Sequence, residues 1–171
     1  MSNPVKVIFL DRDGVINKRA ALHEYIVKPE DFIVLPGVFE AIRLLNEAGF
    51  LIYVVSNQRC VSRGICTTED IDRLNEYMCS LSEENEARID GVYYCPHGDG
   101  ECSCRKPAPG LFYKVEEELK GKGFEVDKEA SYVFGDFQTD IDAGAAYGVK
   151  GILIGSDGKY PTLLDAARMI V

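Results

Sequence analysis

The chain has 171 residues, of which 46% are hydrophobic and 27% are charged, so we expect one domain over residues 1–171 with a sizeable core. The net charge of −9 argues against nucleic-acid partners, because binding to phosphates depends on basic side chains. No apolar run is long enough to span a bilayer, and the first residues lack the apolar core of a signal peptide. We therefore expect a cytoplasmic protein without a membrane partner.

Short apolar runs and longer helical patterns alternate along the chain. The runs predict five buried strands, at 7–11, 51–56, 91–95, 132–135 and 151–154. Apolar periodicity and end signals predict five helices, at 39–48, 68–81, 111–119, 140–147 and 162–170. The second helix carries a capping signature, because Thr67 precedes Glu69 and Asp70 in its first turn.

This alternation predicts the α/β class, as a Rossmann-like three-layer sandwich with a mainly parallel central sheet. Two segments, 16–35 and 96–109, fit neither period. Both follow predicted strands, so we expect them at the carboxyl edge of the sheet, where loops build active sites. No long amphipathic stripe is left over for an interface, which favours a monomer.

The most informative motif is Asp11-Arg12-Asp13-Gly14, directly after the apolar run that ends at Leu10. A buried strand that feeds into two carboxylates places a nucleophile and a proton-transfer group side by side. Taken alone, the motif also fits an acidic turn in which Gly14 permits a positive φ.

Two polar segments support the first interpretation. Ser56-Asn57-Gln58 ends another predicted strand, where a hydroxyl and an amide can donate hydrogen bonds to an anion, although polar loop starts are common. Arg105-Lys106 precedes a proline, and this pair could neutralise a phosphate or lie in solvent.

A further acidic segment, Gly135-Asp136 with Asp140 four residues later, follows the fourth predicted strand. Asp140 could also serve only as a helix cap. Together the segments bring carboxylates, a hydroxyl and a cation to one crevice, which is the set that phosphoryl transfer needs. The converging residues are Asp11, Asp13, Ser56, Lys106 and Asp136.

These motifs resemble those of the haloacid dehalogenase-superfamily phosphatases, and they span residues 11–140. The longer strings resemble the heptose 1,7-bisphosphate 7-phosphatases and their relatives, the histidinol-phosphate phosphatases. Those strings are Asp-Arg-Asp-Gly-Val-Ile-Asn at 11–17, Ser-Asn-Gln at 56–58, Cys-Pro-His at 95–97 and Cys-x-Cys-Arg-Lys-Pro-x-Pro-Gly at 102–110.

The resemblance implies a division of labour between the carboxylates. Asp11 would be the nucleophile that forms an aspartyl-phosphate, and Asp13 would protonate the leaving group and then activate water. Asp11, Asp136 and the backbone carbonyl of Asp13 would bind Mg²⁺. Asp140 would support the site.

The same resemblance implies the substrate contacts. Ser56, Asn57 and Lys106 would hold the phosphoryl oxygens, and Arg105 would bind the substrate, for instance through a second phosphate. It assigns no chemical role to Arg12 or Asn17. The superfamily often adds a cap domain, but the segments 17–35 and 59–67 leave no room for a large one.

A second metal site is predicted between the third strand and the third helix. Cys95, His97, Cys102 and Cys104 form C-x-H-x4-C-x-C, and three thiolates with one imidazole make a closed zinc site. We expect this zinc to be structural, ordering a zinc-binding loop and holding Arg105 and Lys106 in place. The resemblance includes the same zinc pattern. Free thiols are the alternative for isolated cysteines.

Two positions depart from the pattern of the family. Arg59 stands where a small residue is common, and Phe137 stands where a polar residue is frequent. Arg59 could bind an extra phosphate or carboxylate, or point into solvent. Both departures concern substrate choice more than phosphoryl transfer.

The motifs leave several functions to be compared. The first is a Mg²⁺-dependent phosphatase that removes the 7-phosphate of a heptose 1,7-bisphosphate, and the second is a histidinol-phosphate phosphatase. A third is a zinc-stabilised binding protein without catalysis, which the complete set of motif residues disfavours. A nucleic-acid 3′-phosphatase is disfavoured by the acidic composition.

Overall fold

The computed structural model describes residues 2–171, and parallel strands form the centre of the fold. The order along the sheet is β3-β2-β1-β5-β6, and β4 pairs with the first residues of β1. The strands are β1 (Asn3–Leu10), β2 (Phe50–Asn57), β3 (Gly91–Cys95), β4 (Phe124–Val126), β5 (Tyr132–Gly135) and β6 (Lys150–Leu153).

Five α-helices cover the two faces of this sheet. They are α1 (Val38–Glu47), α2 (Thr68–Glu84), α3 (Gly110–Gly121), α4 (Gln138–Tyr147) and α5 (Leu163–Ile170). Residues of α1, α2 and α5 pack with Ile8 and Leu10 in one buried cluster, while α3 and α4 pack with Val7 and Phe9 in the other. Because neighbouring side chains of a strand point to opposite faces, the apolar run of β1 contributes to both clusters. The predicted α/β three-layer class is confirmed.

The differences from the predicted elements have local causes. Strand β4 was not predicted, because three residues are too few to show a period. Its pairing of Phe124 with Asn3 also explains why β1 begins at Asn3 rather than at residue 7. Helix α2 extends to Glu84, beyond the predicted end at 81, through polar residues that carry no apolar signal.

The start of α2 follows the predicted capping pattern. The Thr67 hydroxyl accepts a hydrogen bond from the Asp70 amide at 3.1 Å, and the Asp70 carboxylate accepts one from the Thr67 amide at 2.9 Å. This reciprocal pair satisfies two amide groups that lack partners at a helix start.

In the described residues, loops with one short 3₁₀ turn after β1, rather than a large cap domain, follow β1 and β2. In the described part of the chain, the segment between β1 and α1 contains only a 3₁₀ turn at Pro29–Asp31 as regular helix. No helix among residues 2–171 is both long and apolar enough to cross a membrane.

The carboxyl ends of β1, β2 and β5 open onto a cleft of about 440 Å³ that short loops surround.

Candidate active site

The centre of the cleft is the carboxyl end of β1, between its neighbours β2 and β5. Asp11 directly follows β1, and its amide donates to the Phe134 carbonyl of β5 at 3.0 Å. Asp136 directly follows β5, and Asn57 is the last residue of β2. Because all three strands are parallel, their polar ends meet at one edge of the sheet, as the sequence predicted.

Lys106 is the buried cation of this cleft. Its Nζ donates to Asp11 at 3.0 Å, to Asp140 at 2.5 Å and to the Val55 carbonyl at 2.8 Å. Only 2% of the Lys106 side chain is exposed. Burial opposes its charge, but Asp11 and Asp140 raise its pKa. Lys106 is therefore a fixed ammonium group beside Asp11.

Asp11 lies in an environment with more negative than positive charge. Burial raises the pKa of Asp11 to about 8; Lys106 opposes this, while Asp140 and Asp136 reinforce it. A nucleophilic carboxylate must be ionised near neutral pH. Within residues 2–171, Lys106 is the one buried cation that contacts Asp11, and full ionisation of Asp11 calls for a second positive charge.

Asp13 is held by hydrogen-bond donors on both oxygens. Arg12 donates to both at 3.2 Å, Asn17 to Oδ1 at 2.9 Å and Gln58 to Oδ2 at 3.0 Å. Burial favours the neutral acid, but Arg12 and the side-chain donors lower the pKa of Asp13 below its usual value. Its side chain is 21% exposed and lines the cleft, so it can exchange protons there.

Arg12 reaches Asp13 from inside the fold. It is fully buried, and its guanidinium also donates to Asn75 of α2 at 3.2 Å and to the Ile26 carbonyl at 3.4 Å. The sequence assigned no role to Arg12, yet the structure makes it the residue that connects Asp13 to the core.

Asp136 is paired with Arg19, a residue of the loop after β1 that the sequence did not single out. Arg19 donates to both carboxylate oxygens, at 3.0 and 2.9 Å, and to the Asp13 carbonyl at 3.1 Å. The guanidinium also stacks on the exposed Phe137 ring, 4.3 Å from its centre. Burial raises the pKa of Asp136, and Arg19 opposes this shift.

The oxygens predicted to bind magnesium lie together and attract a cation. Oxygens of Asp11, Asp136 and Asp140 lie within 4.8 Å of one another. The three predicted ligands all lie close to Arg19. It donates to Asp136 and to the Asp13 carbonyl, and it is 4.0 Å from Asp11. Hard oxygen donors that already attract a positive group fit a divalent cation such as Mg²⁺.

A glycine allows these acidic groups to come so close. Gly14 has φ of +87°, and a Cβ atom there would overlap the Asp136 carboxylate. A larger residue would therefore displace the Asp136 carboxylate from this position. The glycine predicted as a turn residue is needed for the close approach of Asp136.

The predicted substrate-binding residues differ in whether they face the cleft. Arg105 and Asn57 line the cleft, whereas Ser56 is buried and its hydroxyl accepts from Gln58 at 3.3 Å. Asn57 uses both ends of its amide on the Lys106 backbone, donating at 3.1 Å and accepting at 3.0 Å. Asn57 therefore fixes Lys106 in addition to facing the cleft.

The four predicted zinc ligands converge on one point. Distances between their sulfur and Nδ1 atoms include 3.0 Å for Cys95–Cys104, 3.2 Å for Cys102–Cys104 and 3.4 Å for His97–Cys104. All four ligand atoms lie within 4.8 Å of one another. Three sulfurs and one imidazole nitrogen in such a cluster match the donor set of a closed zinc site, so the cluster could bind zinc.

Sequence reasoning missed several residues that support the site, and these residues contact catalytic candidates that it had identified. Arg12, Asn17 and Gln58 hold Asp13, and all three lie within the motif strings. Their positions offered a signal, but polar residues beside a motif have many possible orientations. Arg19 offered no signal, because its loop lacks periodicity.

Comparison with known proteins identifies similar chains. A family described as polynucleotide kinase 3 phosphatase matches residues 6–148. A D-glycero-D-manno-heptose-1,7-bisphosphate 7-phosphatase of Chlorobaculum tepidum is 38% identical over 94% of this chain and 83% of its own length. A D-glycero-beta-D-manno-heptose-1,7-bisphosphate 7-phosphatase of Escherichia coli is 36% identical, covering 93% and 83%. The D-glycero-alpha-D-manno form of the enzyme from Burkholderia mallei is also 36% identical, covering 97% and 88%.

A solved structure has the same architecture over nearly the whole chain. The D,D-heptose 1,7-bisphosphate phosphatase of B. bronchiseptica, complexed with magnesium and phosphate, superimposes with a TM-score of 0.84. It is 27% identical, and the match covers 97% of this chain and 98% of the other.

Proposed function

This chain belongs to the haloacid dehalogenase-superfamily phosphatases, in the group of the heptose bisphosphate 7-phosphatases, and we propose that it removes the 7-phosphate of D-glycero-D-manno-heptose 1,7-bisphosphate. The observation that carries this proposal is the geometry around Asp11. A carboxylate at the end of the central strand faces a cleft, with Lys106 at 3.0 Å. A charged nucleophile beside a fixed cation suits attack on a phosphomonoester.

Asp11 acts as the nucleophile in the first half of the reaction. One of its oxygens bonds to phosphorus while the bond between phosphorus and the ester oxygen breaks. The departing sugar oxygen takes a proton from Asp13. The arriving phosphate brings negative charge close to Asp13, which raises the pKa of that carboxyl and lets it carry the proton.

Asp13 acts as the base in the second half. It takes a proton from a water molecule, whose oxygen attacks phosphorus while the bond to Asp11 breaks. The donors from Arg12, Asn17 and Gln58 favour the ionised Asp13, which is the form that this step requires. Inorganic phosphate leaves, and Asp11 returns to its free form.

A divalent cation, Mg²⁺, would be held by Asp11, Asp136 and the Asp13 carbonyl. It would supply the second positive charge that favours ionised Asp11 and would offset charge on the phosphoryl oxygens. Arg19 contacts the same ligands, so it must give way to this ion. Lys106 and Asp140 stay paired beneath the site.

The remaining side chains bind the substrate. Lys106, the Ser56 hydroxyl and the Asn57 amide donate hydrogen bonds to the phosphoryl oxygens at the floor of the cleft. Arg105 contacts the sugar phosphate nearer the mouth, where only 18% of its side chain is exposed.

Zinc would be held by Cys95, His97, Cys102 and Cys104, where it would order the segment that carries Arg105 and Lys106. Both cations directly follow Cys104 in the sequence, so the metal cluster fixes the backbone from which they extend. With four protein ligands, a zinc ion would leave no open position for substrate and would act on catalysis only by positioning these two cations.

Further properties belong to the same proposal. Residues 1–171 form a single phosphatase domain that works as a monomer in the cytoplasm, on a small sugar phosphate and without nucleic-acid or membrane partners. Two relatives that are both 36% identical are named for the alpha form and for the beta form, so the test below includes both anomers.

The proposal is tested by a phosphate-release screen with Mg²⁺. The panel contains both anomers of the heptose 1,7-bisphosphate, histidinol phosphate, a 3′-phosphorylated oligonucleotide and an aryl phosphate. We expect the highest kcat/KM for one heptose bisphosphate anomer. Higher kcat/KM for histidinol phosphate or the oligonucleotide would replace the proposed substrate, and no release from any compound would refute a phosphatase.

A further inference from the structure

The loop between β2 and α2 contains two cysteines whose sulfur atoms are in contact. The Cys66 sulfur lies 3.1 Å from the Cys60 sulfur, and both thiols are free. Neither residue belongs to the zinc cluster or to the acidic group around Asp11. The two thiols therefore form a second sulfur site, which the phosphoryl-transfer chemistry does not use.

The backbone holds the two cysteines close together. Cys60 is fully buried, and its thiol contacts the Gln58 carbonyl at 3.8 Å. Cys66 directly precedes Thr67, the residue that caps α2. Between the two cysteines, the Ile65 amide donates to the Cys60 carbonyl at 3.0 Å and closes the chain into a tight loop. The sulfur contact thus follows from the path of the loop and from the packing at both of its ends.

A bond between the two sulfurs needs little movement. A disulfide bond is about 2.0 Å long, so the sulfurs must approach each other by about 1 Å. Gly64 lies between the cysteines with a positive φ of +71°, and the space beside its Cα is open. The loop can therefore adjust without displacing a packed side chain.

From this contact we infer that Cys60 and Cys66 form a reversible intrachain disulfide, with a small disulfide compound such as oxidised glutathione as the oxidant. Cys66 is half-buried and Cys60 is fully buried, so Cys66 reacts first. Its sulfur attacks one sulfur of the oxidant, the S–S bond of the oxidant breaks, and one glutathione leaves as a thiol. The Cys60 sulfur then attacks Cys66, and the second glutathione leaves as a thiol. The cysteines lose two protons and two electrons, which the oxidant takes up.

The proposed bond lies beside the acid–base group of the cleft. The Cys60 sulfur is 4.0 Å from the side-chain oxygen of Gln58, and Gln58 donates to Asp13 at 3.0 Å. Oxidation removes the Cys60 thiol proton and fixes the loop that leads from Gln58 into α2. Disulfides in a reducing compartment are usually transient, which fits a bond that forms and breaks with the supply of oxidant.

The test uses the native, zinc-loaded chain in buffers of reduced and oxidised glutathione. Burial, with a smaller effect of Cys60, raises the pKa of Cys66 to about 12, so exchange is slow and the measurement is made at equilibrium. Free thiols are then alkylated and the chain is digested with trypsin. Because trypsin cleaves after arginine, Cys60 and Cys66 fall in the separate peptides 60–63 and 64–73. A disulfide between them joins these peptides, and mass spectrometry detects the joined pair.

The joined pair is expected to be the main oxidised product. It should exceed peptide 64–73 carrying glutathione by at least about tenfold, because a thiol in contact acts at a far higher effective concentration than free glutathione. The chain unfolded in urea should show a ratio at least about tenfold lower, because the two sulfurs are no longer held together. Dithiothreitol should return both peptides to the free form.

Single substitutions give different products at the two positions. Cys60→Ser leaves Cys66 to carry glutathione, whereas Cys66→Ser leaves the buried Cys60 unmodified, and neither variant gives the joined pair. Cys79 in α2 is the control thiol, because it falls in peptide 74–88. We expect Cys79→Ser to keep the joined pair at the wild-type level.

Two results would overturn the inference. In the first, the wild-type chain shows Cys66 free or bound to glutathione, without the joined pair. In the second, the native chain forms the joined pair no more readily than the unfolded chain, so the fold does not hold the thiols for reaction. Neither measurement uses a phosphorylated substrate, and failure of the proposed function would therefore leave this inference unaffected.

Discussion

The floor of the cleft, around Asp11, and its mouth, around Arg105, differ in how exposed their charged side chains are. At the floor, Lys106 lies between Asp11 and Asp140, and the exposed fractions of the three side chains are 2%, 10% and 3%. At the mouth, the charge partner of Arg105 is Asp99, which is 78% exposed. Asp11 directly follows β1 and Asp140 lies in α4, while Lys106 reaches the floor from the loop before α3, which also carries Arg105 and Asp99.

The difference assigns separate tasks to the two regions. Buried opposite charges interact strongly and cannot move apart without a large cost, so the floor keeps the reacting groups in one arrangement. Exposed pairs are weak because water screens them, so the mouth can exchange its own carboxylate for a ligand. We therefore expect the buried floor to fix the reacting groups and the exposed mouth to influence substrate choice.

The largest effect is expected from removing the nucleophile at the floor. Asp11→Asn lowers the rate of phosphate release by at least about 10³-fold, because an amide cannot form the acyl phosphate. Lys106 retains Asp140 and the Val55 carbonyl as acceptors, so the fold is kept, as circular dichroism would verify. Release near the wild-type rate would contradict the role of Asp11.

Removing the cation of the floor is expected to destabilise the protein. Lys106→Met leaves Asp11 and Asp140 buried without their partner, which costs about 3–5 kcal/mol in the free energy of unfolding. Lys122→Met is the matched control, since its ion pair with Glu118 is exposed and spans one helical turn; its loss costs less than about 0.5 kcal/mol. If the two variants lose the same free energy of unfolding in urea, the buried ion pair contributes no more to stability than the exposed one.

The floor could be predicted from sequence to a greater extent than the mouth. Apolar runs located the main strands, and parallel strands bring their carboxyl ends to one edge, so Asp11 and Asp136 could be expected to meet. The same reasoning cannot orient side chains, and it therefore missed that Arg12 and Gln58 hold Asp13.

Contacts between loop residues could not be predicted from the sequence. Arg59 could be noted as unusual, but its contact with Tyr25 joins residues 34 positions apart in segments without periodicity. Arg19 similarly reaches Asp136 over 117 positions. Such contacts depend on the paths of two loops, and these paths follow from packing rather than from any local pattern.

Loss of zinc is expected to affect both regions, because the loop that holds the cluster contributes charged residues to both. Its loop contains Asp99, and Cys104 directly precedes Arg105 and Lys106. Cys104→Ser lowers kcat/KM about 10- to 100-fold, as loss of a group that orients a site commonly does, and reduces the zinc content below one ion per chain.

Cys79→Ser is the control for this thiol substitution. Cys79 is half-buried in α2 and lies outside the cluster, so zinc content and kcat/KM stay near the wild type. Elemental analysis and steady-state kinetics check both variants. Full activity of zinc-free Cys104→Ser protein would show that the loop keeps its shape without metal.

The smallest effect is expected from removing one hydrogen-bond donor to Asp13. This change tests how the floor of the cleft controls the protonation of Asp13. Gln58 donates to Asp13 at 3.0 Å, and this hydrogen bond lowers the pKa of Asp13. Gln58→Met removes the donor, so the pKa rises and a larger share of Asp13 is protonated at low pH. The acid limb of the pH profile for hydrolysis of the aspartyl-phosphate, the step in which Asp13 is the base, then moves to higher pH, with a rate loss of about threefold to tenfold on that limb. Gln138→Met serves as the control, because Gln138 is exposed and donates to Asp142 on the same helix, and its profile stays in place. A shift to lower pH in Gln58→Met would show that the hydrogen bond stabilises the neutral acid instead, and Asp13 would then be held ready for the first half of the reaction rather than the second.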